Sequence, residues 1–320
     1  MAISWYPGHM HKANKEMAAI IKNIDVVIEV LDARLPAASS NPMLETLRKD
    51  KPCLRVLNKA DLADPKVTKA WLKYYNEQPL SFATSRSKSQ RLEASDVIFL
   101  CKKLLKKVQS ETKKDEPSQA SNPQLQNLKA WKQENKKQQI LIVGIPNVGK
   151  SSIMNQLLGK KIAKTGNEPA VTKGQQRVRL NKNWFLVDTP GVLWPRLDDQ
   201  DAAYRLALSG AIRNTAIEFA DIALYAAQML LDEHPEGILA RYKFAQTPSS
   251  GEELLKELAV KRGCIKKDKE IDWNRISELL INDYRAGRLG LVSLETPAGH
   301  IAKLARLAQE QEENSEPSVD

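Results

Sequence analysis

Cysteine is scarce: Cys53, Cys101 and Cys264 are the only three in 320 residues. They are odd in number and far apart, so neither a disulfide framework nor a cysteine metal site is expected. Long hydrophobic runs are missing too. Stretches such as Ile222 to Leu231 reach only about ten residues, too few to span a bilayer. A secretory leader is not expected either, because the apolar Ala18–Ile21 is brief and flanked by Lys15, Glu16 and Lys22. These absences point to a cytoplasmic protein with no membrane partner. The net charge is +10, yet the last fourteen residues carry five acids and no Lys or Arg. Taking those five away leaves residues 1–306 at +15. A body this basic suits a polyanionic partner, although a basic surface serving solubility alone fits the same composition.

What is present alternates. Short apolar runs at Asp25–Leu31, Cys53–Leu57, Leu80–Ala83, Ile140–Val143 and Trp184–Val187 read as buried strands. Helix-like segments separate most of them, which indicates an α/β fold with a mainly parallel sheet. Arg177–Leu180 could pair with the last strand through a polar turn at Asn181–Asn183. Residues 106–138 are polar and hold Pro117 and Pro123, so they read as a linker. After about Ala202 strand signals fade. Leu206–Leu231, Glu252–Arg262, Trp273–Ala286 and Ala298–Gln311 look helical. The expected division is residues 1–200, a helical domain at 201–300, and a disordered acidic tail at 301–320.

Gly144-Ile145-Pro146-Asn147-Val148-Gly149-Lys150-Ser151 fits G-x-x-x-x-G-K-[ST], after a strand and before a helix opening at Ser152. Its glycines let main chain wrap phosphates, and the helix N-terminus adds oriented N–H groups. Val148, Gly149 and Ser152 therefore count with Lys150 as phosphate contacts. Lys150 should bridge the β- and γ-phosphates, and the Ser151 hydroxyl should hold Mg²⁺. Asp188-Thr189-Pro190-Gly191 follows a strand. Asp188 is placed to hold the Mg²⁺ water shell, and Gly191 to bring an N–H to the γ-phosphate. Thr172, between the two motifs, could complete the Mg²⁺ sphere only when the γ-phosphate is present, or be a surface threonine.

Asn58-Lys59-Ala60-Asp61 also follows a strand. A carboxylate at Asp61 can accept from both N1–H and the exocyclic amine of guanine. Adenine offers no such donor pair, so an ATPase reading would need a base pocket without Asp61. Asn58 can tie the base loop to the phosphate loop, and the Lys59 stem can cover the base. A second base contact is expected after the next strand, near Ala83, Thr84 and Ser85. The order is unusual: the guanine motif precedes the phosphate motif. The same sheet forms if the old termini are joined and a new break is opened. The fold class expected is therefore a circularly permuted P-loop GTPase domain with a mainly parallel sheet, followed by a small helical C-terminal domain.

With these motifs, Trp5-Tyr6-Pro7-Gly8-His9-Met10, Asp32-Ala33-Arg34, Val192-Leu193-Trp194-Pro195 and Lys261-Arg262-Gly263 complete a pattern running from Trp5 to about Glu295. It resembles the ribosome biogenesis GTPase A (YlqF) family of circularly permuted bacterial GTPases. The chain departs from that pattern at Ala170, where the family usually has Gly. The resemblance implies GTP hydrolysis late in assembly of the large ribosomal subunit, with binding to ribosomal RNA through the helical C-terminal domain. A GTP-gated binding switch, with hydrolysis only as reset, is the alternative. The free protein is expected to be a monomer using GTP/GDP and Mg²⁺. Val192 stands where many GTPases place a water-orienting glutamine, and a valine cannot polarise water. The resemblance implies His9 as the substitute; the residues alone also allow a surface histidine. Asn147 resembles the phosphate-loop asparagine that coordinates K⁺ in potassium-activated GTPases. Arg34 and Asn41-Pro42 read as structural. Lys261, Arg262, Arg285 and Arg288 are the RNA-contact candidates, unless they form a solvated face paired with Glu278 and Asp283.

Overall fold

The apolar runs become a six-stranded sheet in the computed structural model, which describes residues 17–49, 51–90, 92–112, 137–159, 176–188, 199–212 and 218–315. The strands are β1 (Val26–Asp32), β2 (Cys53–Asn58), β3 (Ser81–Ser85), β4 (Gln138–Gly144), β5 (Gln176–Arg179) and β6 (Trp184–Asp188). Their spatial order is β3-β2-β1-β4-β6-β5. Every neighbouring pair is parallel except β5 with β6, the hairpin expected at Asn181–Asn183. The strand before the guanine motif and the strand before the phosphate motif thus flank β1 on opposite sides. The expected permuted P-loop GTPase fold, with a mainly parallel sheet and a helical C-terminal region, is borne out.

Period-two alternation explains why both faces are covered. Val26, Ile28, Val30, Leu54, Val56, Ile140, Ile142 and Leu186 belong to the largest apolar cluster. Their alternates Val27, Cys53, Leu141, Val143 and Val187 pack with Ile21, Ile24 and Leu44. Leu31, Leu57 and Ala83 join a third cluster around Trp71. A buried ion pair links two neighbouring strands of the sheet. Glu29 and Arg55 are register partners on β1 and β2, and Arg55 Nε donates to Glu29 at 3.3 Å. Ser81 and Glu45 accept its remaining N–H groups. A buried charge in such a network is costly to strip of its partner.

The helices begin with α1 (Pro36–Ser39), α2 (Pro42–Arg48), α3 (Pro65–Glu77), α4 (Ala94–Thr112) and α5 (Lys150–Leu157). Asn41 caps α2 by accepting from the Met43 N–H, with Pro42 in the first turn, so the structural role expected for Asn41-Pro42 holds. α4 covers residues 106–112, where a linker was expected; residues 113–136 lie outside the described ones.

Past residue 199 come α6 (Gln200–Ser209), α7 (Phe219–Glu233), α8 (Pro235–Tyr242), α9 (Gly251–Arg262), α10 (Trp273–Arg285) and α11 (Pro297–Ser315). The continuous helix expected from Leu206 to Leu231 is two helices, because Gly210 at φ +88° ends α6. α11 continues to Ser315, so residues 301–315 are helical where a disordered tail was expected. The acidic side chains of its last turns do not prevent this, since Glu and Gln are good helix formers. Residues 287–296 run back along the sheet domain. Val292 N–H donates to Leu62 O, Leu294 N–H to Arg34 O, and Trp71 Nε1 to Glu295 O.

Candidate functional site

β4 delivers the chain into the glycine-rich turn between it and α5. At Gly144 a Cβ would lie 2.8 Å from Val30 O, so β1 approaches too closely for a side chain. Gly149 caps α5 at φ +101°, a left-handed conformation that suits glycine. A Cβ there would stand 2.2 Å from Asn58 Nδ2. Val148 and Lys150 are buried, Ser151 is half-buried and Ser152 is exposed. The N-terminus of α5 therefore faces a narrow cradle of main chain, with Asn58 as one wall.

Asn58 joins the two motifs directly. Its Nδ2 donates to Val148 O at 2.7 Å. Lys59 follows at φ +61°, and its Nζ donates to Asp32 Oδ2 at 2.9 Å. Asp32 is buried and also bonded to the Arg34 guanidinium, at 2.9 and 2.8 Å. Burial would raise the Asp32 pKa, but Arg34 and Lys59 outweigh it and hold the carboxyl below its ordinary range. Arg34 itself lies over the Tyr284 ring at 4.8 Å. The Asp32-Ala33-Arg34 motif is thus a buried anchor under the Asn58–Asp61 loop, which agrees with a structural role for Arg34. Asp61 is exposed on the 3-10 turn Ala60–Leu62, and one carboxylate oxygen accepts from the Lys88 N–H at 2.8 Å. That bond orients the carboxylate.

The loop after β3 lies further along the chain than the sequence suggested. Ala83 sits mid-strand opposite Arg55 and packs among Leu31, Leu57 and Trp71. Thr84 pairs with Val56, and Ser85 with Leu57. The residue beside Asn58 is therefore Arg86. Its N–H donates to Leu57 O at 2.8 Å, and its carbonyl accepts from Ala60 N–H at 3.0 Å. The loop bordering the base motif is Arg86–Gln90, not Ala83–Ser85.

Asn147 adopts φ +57°, and its Nδ2 donates to Gly210 O at 2.7 Å. The phosphate loop is thereby bonded to the C-terminal end of α6. Asp188 ends β6 beside Ile142, next to the phosphate strand; its side chain, and all of His9, Thr172 and Gly191, lie outside the described residues.

The four RNA-contact candidates separate. Arg285 donates to the Leu208 and Ala207 carbonyls, both at 2.9 Å, and so caps α6. It is half-buried between helices, and this overturns its assignment to an exposed RNA face. α10 ends at Arg285, and Gly287 at φ +70° lets Arg288 leave the helix. Arg288 Nη1 donates to Asp283 Oδ1 at 2.8 Å, the pairing expected of a solvated basic face. Lys261 and Arg262 are exposed, above the rings of Phe244 at 4.5 Å and Tyr242 at 5.5 Å. Arg86 and the capping role of Arg285 were invisible in the sequence, because neither belongs to a local motif.

Comparison with known proteins agrees with this geometry. A family model described as 50S ribosome-binding GTPase matches residues 139–250. Ribosome biogenesis GTPase A of Bacillus cereus is 39% identical over 298 residues, covering 93% of this chain and 95% of that protein. Its Thermotoga maritima counterpart is 31% identical over 295 residues, 92% and 95% of the two chains. Mitochondrial ribosome-associated GTPase 1 of Xenopus tropicalis is 30% identical over 315 residues, 91% and 94%. Among solved structures, GNP-bound YlqF from T. maritima aligns with a TM-score of 0.58 at 28% identity, covering 89% of this chain and 98% of that one. The GDP-bound structure aligns at 0.59 and 27% identity, over 88% and 99%.

Proposed function

The chain belongs to the ribosome biogenesis GTPase A family and is a GTPase, and from that premise we propose that it binds the large ribosomal subunit and its RNA, coupling hydrolysis to late subunit assembly. The observation that carries the guanine-nucleotide site is the bond from Asn58 Nδ2 to Val148 O. It brings a base-reading loop and a phosphate loop from distant parts of the chain to one cleft.

Each site residue has a role in this reading. Asp61 accepts from guanine, and the Lys59 stem, anchored through Nζ on Asp32, covers the base. The loop that Arg86 begins, rather than Ala83 and Thr84 within the strand, borders the base. Val148, Gly149 and Ser152 offer main-chain N–H groups to phosphate, and Lys150 bridges the β- and γ-phosphates. The glycine cradle and the hydroxyl of Ser151 at a helix N-terminus fit a phosphate with its Mg²⁺. Asp188 and Thr172 complete the Mg²⁺ set, Gly191 faces the γ-phosphate, and the Asn147 amide oxygen is the K⁺ ligand. His9 orients the attacking water, since Val192 cannot.

The helical region after residue 200 is the RNA-binding part. Lys261 and Arg262 are exposed cations of this region, and Arg288, also exposed, is shared with Asp283. Two bonds give this region a line to the nucleotide: Asn147 to Gly210 O, and Arg285 to the end of α6.

Measuring GTP hydrolysis with and without large ribosomal subunits tests the proposal, together with co-sedimentation under a GTP analogue and under GDP. Stimulated turnover and nucleotide-dependent co-sedimentation are expected. Unstimulated turnover with equal sedimentation in both nucleotide states would overturn it.

A further inference from the structure

Arg86 is a buried cation without a carboxylate partner among the described residues. It is 5% exposed. Burial lowers its pKa, and Asp61, the acid that opposes this, makes no hydrogen bond to it among those described. Among the described residues its guanidinium bonds only side-chain amides. Nη1 donates to Asn58 Oδ1 at 3.0 Å, and Nη2 donates to Gln156 Oε1 on the last turn of α5. Its Nε is buried with no hydrogen-bond partner among the described residues. Retaining a desolvated charge for neutral acceptors is unfavourable unless the geometry it imposes is needed.

That geometry concerns Asn58. A primary amide can present either end, and the two ends differ only in whether they donate or accept. Arg86 can only donate, so it admits Asn58 in one orientation, Oδ1 toward the guanidinium. Nδ2 then faces Val148 O. The reversed amide would set N–H against N–H at Arg86 and oxygen against oxygen at Val148. Meanwhile the main chain of Arg86 holds Leu57 O and Ala60 N–H on both sides of Asn58. Gln156 Oε1 also accepts from Leu92 N–H at 3.3 Å, which fixes the far end of the bridge.

We propose that Arg86 is a positioning residue of the nucleotide site: it locks the Asn58 amide in the orientation that closes on the phosphate loop and ties the base-reading loop to α5 through Gln156. The proposal rests on the guanine-site reading of Asn58 and Asp61. Losing Arg86 frees the amide to turn and loosens the base loop from the phosphate helix. GTP and GDP should then suffer alike, since both carry the base and the β-phosphate.

The test is a double-mutant cycle on the full chain, reading equilibrium affinity for GTP and GDP. Arg86→Ala should weaken both by about 10- to 100-fold, the usual worth of hydrogen bonds to a charged group. Asn58→Ala should cost much less in the Arg86→Ala background than in the wild type, because the two act through one contact. Arg86→Lys, which keeps charge but cannot fork to Asn58 and Gln156, should fall between wild type and Arg86→Ala. Gln156→Ala, outside the Asn58 contact, should give a smaller loss and serves if Arg86→Ala fails to fold. A purely structural role predicts losses that multiply in the double variant; that result, or unchanged affinity in Arg86→Lys and Gln156→Ala, overturns the proposal. Asp61→Asn is the control. If it leaves guanine affinity intact, the guanine-site reading itself fails; if it weakens affinity while the Arg86 series does not, only the present proposal falls.

Discussion

Arg285 Nε lies 2.9 Å from the carbonyl oxygen of Leu208, across 77 residues of sequence. With Nη2 on Ala207 O, it closes the open end of α6 next to Gly210. Arg285→Ala should therefore destabilise the fold, by about 1.5–3 kcal/mol as for hydrogen bonds to charged groups. Urea titration would register this as a lowered midpoint. The salt dependence of subunit binding should not change, and a flattened salt slope would return Arg285 to the RNA surface.

Lys261 and Arg262 carry the opposite expectation. They are exposed residues whose charged heads lie over aromatic rings, and Lys261 Nζ also donates to Lys243 O at 2.9 Å. Replacing both with Ala should weaken subunit binding and reduce its salt slope by roughly one unit per lost phosphate contact. GTP binding should remain as in the wild type. Titrations at several salt concentrations decide this, and identical slopes would exclude the pair.

Gly149→Ala tests the closure of the cleft. The new Cβ would meet Asn58 Nδ2 at 2.2 Å, at a φ of +101° that L side chains rarely adopt. Asn58 must move off Val148 O. Strain of about 1–3 kcal/mol, together with the lost bond, should lower nucleotide affinity by roughly tenfold or more. Calorimetric titration with GDP measures it; wild-type affinity would mean that the Asn58 contact is dispensable.

Glu295 should make stability depend on pH. Its carboxylate accepts from the Ala37 and Ala38 N–H groups and lies 3.8 Å from Arg205. Desolvation is the larger influence and pushes its pKa up from 4.5 to about 7. The folded state therefore holds this proton more tightly than the unfolded chain does. The resulting stability is complete below about 4.5 and is lost as pH rises toward 7. In denaturation series across that window, wild type should lose stability relative to Glu295→Gln. Parallel pH profiles for the two proteins would show that the carboxylate stays ionised when buried.

Local chemistry was legible from the residues alone. A glycine-rich turn between an apolar run and a helix, an N-K-x-D after another run, and a D-T-P-G after a third each follow from spacing. Their inverted order marks the permutation, since a sheet has no memory of where its chain begins. The strands and their mainly parallel sheet came with them, because short continuous apolar runs suit strands buried on both faces, whereas the strand order came only from the tertiary structure. Charge roles were not legible. Arg285 and Arg288 look alike as letters three apart, yet one caps α6 and the other pairs with Asp283. Ala83 and Arg86 likewise share one strand and its exit, and only the register with β2 decides which lies beside Asn58. A sequence determines which groups a chain carries and their local periodicity. Which distant carbonyl or carboxylate a guanidinium meets depends on how helices and strands far apart in sequence pack. A buried Arg must find acceptors there or not be buried at all, so only the tertiary structure separates the arginines that hold this protein together from those left exposed on its surface.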